Sequence, residues 1–194
     1  MEIRTVFHKH LREIQDDILA MGSMVSKATL RSIEALKKRD LELAHQIIAD
    51  DRKVNNKRFE IEEKCIALIA TQQPMASDLR VIVAILNIIT EIERIGDYAA
   101  GIAKIVILIG DDQPLKPLID IPRMADQTVD MLRRSLDAFV NREAEIERGS
   151  WIRQPASAGK VFTLASDAFW QGILREKGGR FRALSNYPLD PRLN

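Results

Sequence analysis

Residues 77–110 read SDLRVIVAILNIITEIERIGDYAAGIAKIVILIG, and this stretch decides the fold. Ile82, Ile85, Ile89, Ile92, Gly96, Ala99, Ala103 and Val106 recur at alternating steps of three and four. That alternation is the seam of a long helix packed nearly parallel to its neighbours. Ser77 or Asp78 is placed to start the helix and Gly110 to end it. Asn87, Thr90, Glu91, Glu93 and Lys104 break the apolar run, so it falls short of the roughly 18 residues a membrane-spanning helix needs.

The same rhythm extends toward the N-terminus. Phe7, Leu11, Ile14, Ile18, Met21, Val25 and Ala28 mark the seam of a first helix running to about Lys38. Asp40 can cap a second, with Ile47, Asp51, Val54, Arg58, Ile61, Cys65 and Leu68 along its seam and Pro74 beyond its end. Three long helices with short joints predict an all-α protein, an antiparallel three-helix bundle over residues 1–110. Gly22 and Gly101 allow helices to approach closely.

Toward the C-terminus, the three prolines from Asp111 to Pro122 predict a linker, followed by a fourth helix from about Arg123 to Arg148. Ser32–Glu42 and Ser135–Glu145 share a pattern, which suggests a second copy of the three-helix unit. The copy does not continue: Trp151-Ile152-Arg153-Gln154-Pro155 stands where a second acidic segment is due. Residues 111–148 are therefore the linker and first helix of an incomplete second bundle. Its seam residues Val129, Leu132, Leu136 and Phe139 lack the helices that should cover them. With the proline-rich linker expected to hold this helix away from the bundle, a second chain is the expected cover, making a homo-oligomer. The tail, 149–194, holds five of nine glycines, both tryptophans and six of ten aromatics, at net charge +4. It is expected to be irregular.

The chain as a whole has 29 Lys+Arg and 28 Asp+Glu, a balance that gives nucleic-acid binding no support. A single cysteine, Cys65, excludes an internal disulfide, and the N-terminus lacks the pattern of a signal peptide. A soluble, cytoplasmic protein without membrane insertion is expected.

Glu93 and Asp97 lie four apart on the third helix, in a stripe with Leu79, Val83, Leu86 and Thr90 at the edge of the core. Asp51 and Asn55 have the same spacing on the second helix. If facing helices bring these oxygens together, they suit hard or intermediate cations such as Mg²⁺, Mn²⁺ or iron. The competing arrangement is an ion-pair network with Arg94, Arg80 or Arg58, which spacing alone favours. Glu42 and His45 form one E-x-x-H at a helix start, where capping is the simpler role than redox chemistry. His8 and His10, two apart, do not face each other, and no catalytic triad can be assembled.

Asp50-Asp51, the joint Ile69-Ala70-Thr71-Gln72-Gln73-Pro74-Met75-Ala76-Ser77-Asp78-Leu79-Arg80, and Glu91-Ile92-Glu93-Arg94-Ile95-Gly96-Asp97-Tyr98-Ala99 together resemble the PhoU family over about residues 1–148. The resemblance implies two similar three-helix bundles, with acidic motifs on the second and third helices of each that can hold a multinuclear metal cluster. Glu93 and Asp97 match the third-helix motif, and Asp51 the first position of the second-helix motif. Asn55 stands where an aspartate is common, which should weaken any metal site because an amide oxygen carries no charge.

The resemblance also implies a non-catalytic negative regulator of phosphate uptake and of the phosphate-starvation response. Its partners would be the ATP-binding subunit of a phosphate ABC transporter and a sensor histidine kinase, with Arg94 and Arg80 as candidate partner contacts. The alternative is a non-functional or purely structural helical fragment that self-associates through the fourth helix.

Overall fold

The computed structural model describes residues 2–110 and 118–147, with side chains from 6 to 110 and from 118 to 141. The expectations for residues 111–117 and for the tail from 148 onward lie outside the described residues. Four helices follow one another: α1 Glu2–Lys38, α2 Leu41–Gln72, α3 Ala76–Ile109 and α4 Asp120–Glu147. No helix among the described residues is long and apolar enough to cross a membrane.

Local chemistry sets most of the boundaries. Asp40 caps α2, its Oδ1 accepting the Leu43 N–H at 2.8 Å, which satisfies one of the donors left open at a helix start. At the other end of α2, Gln73 turns left-handed (φ 44°) and its N–H returns to the Ile69 carbonyl at 3.1 Å. Gly110 closes α3 at φ +54°, a region glycine enters without a Cβ clash, with its N–H on the Val106 carbonyl. The start of α3 differs from expectation. Met75, extended after Pro74, occupies the cap position with no side-chain hydrogen bond, and Ser77 and Asp78 lie inside the helix. Likewise α4 begins at Asp120, three residues before Arg123. Pro122 falls in its first turn, where the missing N–H would have had no helical partner in any case.

The first three helices pack against one another, and their cores form two stacked clusters. One joins Phe7, Leu11, Ile14 and Ile18 of α1 with Ile61, Cys65 and Leu68 of α2 and Val81, Ile82 and Ile85 of α3. The other joins Ile33 and Leu36 with Ala44, Ile47, Ile102 and Val106. α2 therefore runs antiparallel to both of its neighbours.

α4 overturns one expectation. It packs on α1: Leu132, Leu136 and Phe139 are buried in the first cluster, Ile121 and Ala125 in the second, and Val129 is half-buried. The chain itself covers this seam, so the seam gives no reason for self-association. The cover comes from a second stripe on α1, where Gln15, Gly22, Thr29 and Leu36, spaced by seven, are all buried. A Cβ built on Gly22 would run into Leu136 Cδ1, so the missing side chain is what lets α4 sit this close. The Thr29 hydroxyl is satisfied within α1, donating to the Val25 carbonyl at 3.0 Å. Each of the large α4 side chains covered in this way is worth about 1.5–3 kcal/mol.

Candidate functional site

α3 is buried over most of its circumference. Its solvent-facing line includes Leu79, Val83 and Thr90, then Asp97 and Lys104, with Leu86 and Glu93 half-buried along it. This is the stripe expected at the edge of the core. On α2, the two polar seam positions, Asp51 and Arg58, are half-buried beside it. Gly96 sets the approach of the helices: a Cβ there would stand 3.3 Å from Val54 Cγ1 and 3.9 Å from Asp51 Oδ1.

Asp51, Glu93 and Asp97 form one electrostatic group. Burial raises the affinity of each carboxyl for its proton, and their repulsion adds to this: Asp51 raises Glu93, while Glu93 and Asp51 both raise Asp97. For Asp97 the result is a pKa of about 6. Its outer edge remains open to water, which screens part of this repulsion. Lys104 pulls Asp51 and Asp97 back down, and Arg58 does the same for Glu93 and Asp97.

None of the three carboxylates makes an ion pair among the described residues, which disfavours the salt-bridge network. Arg94 lies 3.1 Å from Glu91 and also donates to Tyr98 Oη at 3.1 Å. Arg58 lies 3.7 Å from Glu62 and stacks over Phe59. Arg80 is exposed. The adjacent residue Asp50 shows the contrast, since Lys53 at 2.7 Å and Arg31 at 2.9 Å hold its carboxyl below the usual range. These residues line a shallow cleft of about 160 Å³ that also touches Asp51, Val54 and Gly96.

Asn55 completes the group. Its amide nitrogen donates to Asp51 Oδ2 at 3.4 Å, and its Oδ1 is buried without a hydrogen-bond donor. An orphaned buried acceptor beside underpaired carboxylates fits a hard cation in donor type and charge. The arrangement is open: among the described residues, no three Asp, Glu, His or Cys side chains gather closely enough to enclose a metal ion. The spacing that identified Glu93 and Asp97 also contains Lys104, seven residues after Asp97 on the same line, although sequence reasoning did not place it at the site. Glu42 and His45 are both exposed at the start of α2 and join no such group.

A PhoU domain model matches residues 18–106, which contain the whole acidic group. A phosphate-specific transport system accessory protein PhoU homolog from Aquifex aeolicus is 36% identical over 135 residues, covering 70% of this chain and 61% of that protein. The accessory protein PhoU from Serratia marcescens is 37% identical over 170 residues, 88% of this chain and 66% of its own length, so that match runs past α4. The chain thus spans somewhat under two thirds of these relatives. Among solved structures, PhoU from Pseudomonas aeruginosa superposes with a TM-score of 0.67 at 27% identity, covering 92% of this chain and 84% of that one. The regulatory protein PhoU from Streptococcus pneumoniae shares the fold, with a TM-score of 0.62 at 24% identity, over 88% of this chain and 80% of its own. The helices, the acidic line on α2 and α3, and these matches agree: the chain belongs to the PhoU domain family.

Proposed function

We propose that this chain is an accessory regulator of phosphate uptake, a non-catalytic adaptor on the cytoplasmic side of the membrane. Its partners in this reading are the ATP-binding subunit of a phosphate ABC transporter and a sensor histidine kinase, whose starvation signalling it holds down. The names of its relatives support a role in phosphate transport. The observation that carries the reading to particular residues is the group of Asp51, Glu93 and Asp97, half-exposed and without ion pairs inside the matched domain. Underpaired carboxylates on a helix face are kept at a cost in stability, which is expected where binding depends on them.

Glu93 and Asp97 from α3, with Asp51 and the Asn55 amide oxygen from α2, would hold a divalent or iron cation. When bound, it would supply positive charge that draws the two helices together. Asp51 and Asp97 also meet the charge of Lys104, and Glu93 and Asp97 that of Arg58, so these cations set how much negative charge the group shows a ligand or partner. Arg80 and Arg94 flank it as candidate partner contacts. Such an adaptor acts by binding two states of its partner unequally, and only that difference moves the equilibrium.

Metal analysis of the purified chain beside Glu93→Gln/Asp97→Asn tests the cation, and equal metal content in the two defeats it. Capture of the purified ATP-binding subunit on immobilised chain tests the partner. No retention, with the chain's helical content intact, defeats the adaptor reading.

A further inference from the structure

Three helices line the cleft beside the acidic group, and each brings something different. From α1 come Lys27 and Arg31, one helical turn apart and so on one face. α2 brings Lys53 with Asp50 and Asp51, and α3 brings Gly96. A Cβ on Gly96 would stand 3.3 Å from Val54 Cγ1 and 3.9 Å from Asp51 Oδ1, and both of those residues line the cleft, so any side chain there would take up part of its floor. The cleft is a cradle that a missing side chain helps to keep open.

Its cations keep donors in reserve. Arg31 donates to Asp50 and Gln46, and Lys53 donates to Asp50. A guanidinium carries five N–H donors and an ammonium three, so most of these remain open. The Lys27 side chain makes no ion pair or hydrogen bond among the described residues. Three cations thus meet two carboxylates, and the carboxylates differ. Asp50 is held between Arg31 and Lys53, whereas Asp51 belongs to the acidic group with Glu93 and Asp97. A cation bound there would neutralise Asp51 and leave the cleft with positive charge in excess. It would also need outside ligands: the carboxylates do not enclose a metal ion among the described residues, and a hard cation held by few carboxylates completes its shell with water and phosphate oxygens. At about 160 Å³ the cleft is smaller than the roughly 300–1,000 Å³ pockets of cofactor-sized ligands, and suits a small tetrahedral anion.

We propose that the cleft between α1 and α2 is an oxyanion site for free inorganic phosphate, held by Lys27, Arg31 and Lys53 over Gly96 and strengthened by a cation at the neighbouring carboxylates. The three side chains donate charge-assisted hydrogen bonds to the phosphate oxygens. Phosphate and cation each raise the affinity for the other by the same factor, because Asp51 stands between them. This depends on the cation site of the proposed function and names the ligand that works with it.

Equilibrium dialysis of the full chain against radiolabelled inorganic phosphate, in excess Mg²⁺, reads the site directly. A single phosphate per chain is expected, with affinity about tenfold or more lower when Mg²⁺ is left out. Lys27→Gln and Lys53→Gln, both at exposed positions, should each weaken phosphate about tenfold while circular dichroism stays unchanged. No retained phosphate, from a chain that metal analysis shows to hold Mg²⁺, overturns the proposal and spares the cation site. A chain that holds neither defeats both. Equal phosphate affinity with and without Mg²⁺ overturns the proposal, as does affinity indifferent to both lysine substitutions. ATP displacing the label at lower concentration than unlabelled phosphate also overturns it, and assigns the cleft to a nucleotide's phosphates.

Discussion

Replacing Asp97 by asparagine removes one charge from the acidic group at almost constant shape, and it should stabilise the metal-free protein near neutral pH. In the unfolded chain this carboxyl titrates near 3.8, and in the folded protein near 6. Between those values the folded state binds more protons than the unfolded one, so stability falls as pH rises through the window. The shift converts to about 3 kcal/mol at face value. Because the side chain keeps an exposed edge, screening reduces the expected effect to about 1 kcal/mol. For a chain of this size that is about 2–4 °C in melting temperature.

The assay is urea unfolding with chelator present, at pH 5 and pH 7.5. The unmutated chain should lose about 1 kcal/mol between the two, and Asp97→Asn should lose less and be the more stable at pH 7.5. Adding Mn²⁺ should reverse the order, because the cation site then favours the unmutated chain. If Asp97→Asn is less stable at both pH values without metal, Asp97 is paired in solution and the argument from repulsion fails.

Gly22→Val should cost about 1–3 kcal/mol in thermal unfolding, since its Cβ meets Leu136, and adding Leu136→Ala should recover part of that loss. Strictly additive losses would mean that α4 does not pack there. Asp17 has a lowered pKa even though burial pushes it up, because Lys57 and Lys64, each 2.6 Å away, together outweigh that burial. Its contribution is present above pH 3.8 and lost as pH falls through the lowered value, so Asp17→Asn should reduce stability at pH 7 and flatten the acid limb. An unchanged acid limb in differential scanning calorimetry would contradict this. Burial, with Glu62 adding to it, pushes the Cys65 thiol up to about 12, so a thiol reagent should label it only in denaturant. Rapid labelling of the folded chain would show that the core cluster around Cys65, Leu11 and Ile82 opens.

Periodicity alone gave the three long helices, because burial on one side of a helix imposes its rhythm on the sequence. It also placed Glu93 and Asp97 on one face, since four residues make about one turn. Asp40 as the α2 cap and Gly110 as the α3 stop follow from chemistry within a few residues of each boundary. Three matters were decided only in three dimensions. The packing of α4 on α1 was hidden because the receiving stripe, Gln15, Gly22, Thr29 and Leu36, holds one large apolar side chain in four: a small residue that permits contact looks in a sequence like one that makes none. The pairing of the carboxylates with arginines was plausible on spacing, yet Arg94 turns to Glu91 and Tyr98, and Arg58 to Glu62 and Phe59. Last, Asp50 and Asp51 are indistinguishable as letters. The rotation of α2 gives Asp50 two cations and sets Asp51 across from Gly96 and the α3 carboxylates, because adjacent helical residues point about 100° apart and only the packed neighbour determines what each one meets.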